Sequence, residues 1–236
     1  GSTIAATGQI QVSASSAGNS RQGIAVLNGG LMRATATTLS TNISTGNILF
    51  AQTSNSTTDL LVSGANSRII ADGVINAGGT GGSGTFTGTV TAGGSLFSSQ
   101  LGVGAGTNGS TANLVINTGG SATVAGSGTT FPVVAIGTRG TLTMTGGTVT
   151  AGGLSRWGTN TVEGAIVLNS GSILLNGRGG STSTFTASTG AVLSGSGGSI
   201  TVNDPTTFLY QEFGGTGSTY SGPVNVLKGT LGVTGT

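Results

Sequence analysis

The stretch Thr118-Gly119-Gly120-Ser121-Ala122-Thr123-Val124 sets the pattern for the whole chain. A small residue and two glycines lead into a short strand that opens on a small residue. The phrase returns at Asn28-Gly29-Gly30, Ala77-Gly78-Gly79, Ala92-Gly93-Gly94, Thr145-Gly146-Gly147 and Ala151-Gly152-Gly153. Self-similarity of this kind marks repeat architectures, and from Thr118 onward comparable turns fall about 19 to 28 residues apart. Glycine supplies positive-φ corners without a Cβ penalty. The segments between corners read as strands. Thr85-Phe86-Thr87-Gly88-Thr89-Val90-Thr91 alternates, with apolar residues on one side and Thr on the other. Blocks such as Leu114-Val115-Ile116, Val133-Val134-Ala135-Ile136 and Ile173-Leu174-Leu175 supply a core.

The spacing predicts one all-β domain over 1–236, a right-handed parallel β-helix of roughly ten irregular coils. At about 22 residues per coil and about 4.8 Å per coil the rod is about 50 Å long. A β-sandwich is the alternative fold. It accounts for the alternation but not for the recurring Gly-Gly phrase.

Composition narrows the classes further. The 236 residues include 48 Gly, 41 Thr and 29 Ser, while charged residues make up 5%. Glycine at this density excludes a long helical bundle, and three Pro without a three-residue glycine period exclude collagen. Disorder goes with low hydrophobicity and high net charge; here 35% of residues are hydrophobic and the net charge is +2. The seven basic residues are scattered and form no stripe for nucleic acid. No apolar run reaches the ~18 residues of a membrane helix. Gly1-Ser2-Thr3 lacks the basic and apolar regions of a signal peptide. Either a signal peptide has been removed or the chain is a fragment; the domain is expected to be a fragment or subunit of a longer assembly.

A search for chemistry finds little. The acidic residues are Asp59, Asp72, Glu163, Asp204 and Glu212, and there is no His and no Cys. Asp59 and Asp72 are less than one coil apart, so they do not stack on one face. Asp204 and Glu212 are close enough in sequence to approach each other. Asp204-Pro205 before an apolar run reads either as a helix N-cap with Pro at the first position or as a loop entering a strand. The lone Lys228 sits at a turn-like position and is expected to face solvent. These residues predict no enzyme, no cofactor and no metal site. Gly102-Val103-Gly104-Ala105-Gly106 lacks the Lys-Ser/Thr of a phosphate loop. Arg156-Trp157 is the most unusual pair, a candidate sugar platform or assembly contact. Thr-x-Thr pairs suggest an ice-binding face, but they cluster at 85–91, 141–150 and 182–186, with gaps that do not match one coil.

One stretch resembles a known family. Thr219-Tyr220, Gly222, Val224, Val226 and Gly229-Thr230-Leu231 match the autotransporter-associated β-strand repeat over about 15 residues. Ser218 stands where that repeat usually has Asn, and Pro223-Val224 replaces its Thr-rich step. The resemblance implies a bacterial secreted or surface β-helix.

The sparse charge adds a functional expectation. A free soluble surface is normally about a quarter to a third charged, and natural solenoids cap their open ends. No polar cap is legible in this sequence. We therefore expect a structural, extracellular or cell-surface protein whose partner is itself, stacked end to end through strands near Val224 and Val226. A monomeric adhesin passenger and a module for surface glycans are the alternatives.

Overall fold

A computed structural model describes residues 1–12, 20–36, 46–78, 84–104, 110–126, 132–156, 164–177, 185–206 and 209–233. Among these residues there is no helix, and every strand pairing is parallel. The strands, numbered in chain order, wind round three faces. The first face stacks β1 (Thr3–Thr7), β4 (Leu31–Thr35), β7 (Arg68–Ala71), β10 (Ser95–Ser98), β13 (Ser121–Val124), β20 (Ser199–Asn203) and β22 (Val224–Lys228). The second stacks β2 (Ile10–Val12), β5 (Ile48–Phe50), β8 (Val74–Ala77), β11 (Gln100–Val103), β14 (Val133–Ile136) and β16 (Gly153–Arg156). A separate three-stranded sheet of β18 (Phe185–Thr189), β21 (Leu209–Phe213) and β23 (Thr230–Val233) follows it. The third face stacks β3 (Ser20–Leu27), β6 (Ser56–Ser63), β9 (Thr85–Thr91), β12 (Thr111–Asn117) and β19 (Val192–Ser194). Two long strands, β15 (Gly140–Ala151) and β17 (Ala165–Leu175), bend from the third face into the first and complete both stacks.

The chain is thus a β-solenoid, and the sandwich alternative falls because strands pair in parallel with strands one turn away. Among the described residues nine strand segments stack on the first face, so the count falls short of the expected ten. The turns are longer than 22 residues: bonds between equivalent corners span 26 to 28 residues, and 36 to 38 around the second turn. The extra length lies between strands, where it does not disturb stacking.

In-register stacking sorts the side chains. On the first face one inward column runs Ile4, Met32, Ile69, Leu96, Ala122, Val149, Ile173, Ile200, Val224. All but the two end residues are buried. The second face explains the non-alternating blocks: all four residues of β8 and of β14 are buried, as in strands covered on both sides. Phe50 and Phe86 meet inside the solenoid with ring centroids 5.4 Å apart. Gly88 makes room for that pair, since a Cβ there would lie 2.6 Å from Phe86 Cζ.

At 28–30, 92–94, 118–120 and 145–147 the Gly-Gly phrase is the corner between the third and first faces; Ala151-Gly152-Gly153 instead leads from the first face to the second, and Ala77-Gly78 closes β8 on the second. At Asn117–Gly120 the Gly120 N–H donates to the Asn117 carbonyl at 2.8 Å, and Gly119 has φ 75°. The first glycine supplies left-handed backbone. The second lies directly over the Val90 carbonyl of the preceding coil, with no room for a Cβ. Threonine hydroxyls tie successive corners together: Thr91 Oγ1 donates to the Thr118 carbonyl at 3.4 Å, and Thr118 Oγ1 to the Thr145 carbonyl at 3.3 Å.

Candidate functional site

The carboxylates are dispersed. Asp59, on the outside of β6, pairs with Arg21 on β3 at 2.5 Å, which raises the Arg21 pKa further. Asp72 follows β7, 3.8 Å from Arg33, and accepts from the Ala36 N–H at 3.1 Å. The two therefore sit at different places on the solenoid, as their spacing suggested. Glu163 lies outside the described residues, and Glu212 sits on β21, partly exposed. Among the described residues no three His, Cys, Asp or Glu side chains gather to hold a metal.

Asp204 has a structural task. It is fully buried. One carboxylate oxygen accepts from the Thr206 N–H (3.0 Å) and hydroxyl (2.7 Å), and the other from the Leu209 N–H (2.7 Å). The helix reading of Asp204-Pro205 gives way to the loop reading. The side chain closes an Asx turn and then satisfies the first residue of β21. Thr207 and Phe208 lie outside the described residues.

Of the expected contact residues, Arg156 ends β16 and is exposed, while Trp157 lies outside the described residues. Val224 and Val226 are 37% and 45% exposed on β22, and Lys228 at the end of that strand is exposed. Their inward columns are complete on the side of β20, where Val224 pairs with Ile200 and Val226 with Val202. At the opposite end Ile4 is 57% exposed.

The motif around Tyr220 has a physical account. Ser218 Oγ accepts from the Leu193 N–H at 3.1 Å and donates to the Gly215 carbonyl at 2.8 Å. The Thr219 and Ser221 N–H groups donate to Leu193 and Gly195, so this segment lies along β19. The Tyr220 ring covers Gly222, where a Cβ would collide with it. Its hydroxyl lies 3.2 Å from the Gly198 carbonyl of the coil below and 3.3 Å from that of Pro223. Burial raises the Tyr220 pKa above the ordinary tyrosine value. The folded chain therefore keeps that proton to higher pH than the unfolded chain does. The associated stability is fully present below about pH 10 and falls as pH rises above it. Tyr220→Phe is expected to remove the late-titrating step in an absorbance titration. It should cost about 1 kcal/mol or less at neutral pH, since a single part-exposed hydrogen bond is lost.

Sequence reasoning missed Gln211. It occupies an inward position of β21, is fully buried, and has register partners Ala187 and Leu231. Its Oε1 accepts from the Leu154 N–H at 2.8 Å and its Nε2 donates to the Leu154 carbonyl at 3.0 Å. The signal was a polar residue two positions from Leu209 and Phe213, where alternation calls for an apolar one. No protein-family model, curated protein or solved structure matches the chain.

Proposed function

We propose that the chain is a structural, non-enzymatic part of an extracellular bacterial surface or fibre protein that builds by stacking β-solenoid coils. The observation that carries this reading is the apolar column from Ile4 to Val224, buried from Met32 to Ile200, whose first and last residues a further coil would cover. Val226 is open beside it, and Leu227 and Val233 on the last strands are 66% and 74% exposed. Each end also presents the edge of a parallel sheet, a template for another strand. A further coil placed there continues both the hydrogen-bond ladder and the core. Dispersed carboxylates and the lack of His and Cys support the non-enzymatic part. The resemblance around Tyr220 supports the bacterial surface setting.

Electron microscopy of the purified chain is expected to show unbranched fibres lengthening with concentration. Val226→Lys is expected to shorten or abolish them, because the charge would be desolvated at the junction. Monodisperse rods at high concentration would instead indicate a monomeric adhesin passenger.

A further inference from the structure

The outer side of the third face carries a second, independent feature. Residues 73–138 contain no Asp, Glu, Lys or Arg. Within that run β9 and β12 stack in register, and β15 continues the stack. The outward side chains form two adjacent columns, Thr87–Asn113–Thr141 and Thr89–Val115–Thr143. All six are exposed or half-buried. The next strand extends the columns with Ala165 and Val167. The Thr clusters at 85–91 and 141–145, whose sequence gap matched no single coil, thus lie on one wall two turns apart. Thr148 and Thr150 have turned the corner onto the first face, and Thr186 belongs to β18.

We propose that this wall binds ice. The sheet holds its groups on a rigid grid of about 4.8 Å between strands and about 6.6 Å between alternate residues of one strand. The strand spacing lies close to an oxygen repeat in hexagonal ice, and the alternate-residue spacing falls short of the next one. Each Thr presents a hydroxyl that donates and accepts, beside a methyl group that orders the water around it. Val115 and Val167 continue the methyl column, and Asn113 supplies an amide in the hydroxyl column. The outward positions of β9, β12 and β15 on this wall carry no charged side chain; the wall is bounded on the β6 side, where Asp59 is the register partner of Thr87 and pairs with Arg21. The described outward residues of this wall include no aromatic ring, which argues against a saccharide that stacks on one. The wall's role does not depend on end-to-end stacking.

The test is thermal hysteresis and ice-recrystallisation inhibition measured on the whole chain. The expected result is a gap between melting and freezing temperatures that widens with concentration, with faceted crystals. Thr89→Lys combined with Thr143→Lys should abolish the gap. Thr87→Lys combined with Thr141→Lys repeats the test with different side chains, and circular dichroism checks that each variant keeps its strands. Thr123→Lys, on the outside of the first face, should leave the gap unchanged. Coincident melting and freezing at every concentration would overturn the proposal. So would an equal loss in Thr123→Lys, or sedimentation showing that the wall is covered by a second copy which the Lys variants release.

Discussion

Gln211→Ala is expected to destabilise the C-terminal coils by about 3–5 kcal/mol, because it strips partners from two buried backbone groups at about 1–3 kcal/mol each and leaves a void. The second face is broken after β16: β16 pairs with β14, while β18 pairs with β21 in a separate sheet. Leu154 is fully buried at that break, and its N–H and C=O both meet the Gln211 amide. The side chain replaces one step of the missing ladder, and Ala187 beneath it is small enough to let it pass. Gln211→Leu fills the volume but restores neither bond, so it should rescue little. Gln211→Glu keeps the acceptor, loses the donor and buries a charge, and should be as harmful as Ala. Stability in a solenoid is a sum of local interfaces, so a global melting curve is a blunt measure. Hydrogen exchange is the sharper one: the Leu154 amide, which donates to Gln211 Oε1, should lose protection in Gln211→Ala and Gln211→Leu and keep more of it in Gln211→Glu, which retains the acceptor. Unchanged protection there would show that another group satisfies it.

How much of this was legible follows from what side-chain patterns encode. The inward columns were visible as alternation, since Thr85–Thr91 places Phe86, Gly88 and Val90 on one side and each is buried. The corners were visible because few residues other than glycine fit them. Coil length was not, because loops between strands add residues without changing any inward pattern; hence turns of 26 to 28 residues where a shorter coil was expected. The role of Asp204 was half legible: the Asp-Pro pair announced a cap, but only the fold shows that it closes a turn into β21. Gln211 was visible as an anomaly and nothing more, because its partner lies 57 residues away. The wall of the third face failed for a related reason. Thr87 and Thr141 share a column only through Asn113, which is not a threonine, so a search for repeated Thr pairs passes over the rung that joins them.

Gly120→Ala, the smallest possible change, is expected to cost about 3 kcal/mol or more, at the upper end of what overpacking produces. The new methyl would overlap the Val90 carbonyl oxygen and lie 2.6 Å from its carbon, with the Asn117 carbonyl oxygen at 3.0 Å. These are backbone atoms of the adjoining coil and of the turn itself, so no rotamer change relieves the contact. The two coils must separate locally, and separation strains the bond from the Ser121 N–H to the Gly94 carbonyl (3.1 Å) and that from the Thr148 N–H to the Gly120 carbonyl (3.1 Å). Gly23→Ala is the control. Gly23 sits inside β3 rather than at a corner, and a Cβ there meets nothing within 4 Å. That change should be neutral, or stabilising by about 0.4–1 kcal/mol through the reduced freedom of the unfolded chain. Denaturant midpoints of the two variants measured side by side separate the effects. If both shift alike, the loss of glycine's backbone freedom and not a close contact governs both sites; if only Gly120→Ala falls, the second glycine of the phrase is there because the coils stack too closely at that corner to admit a side chain.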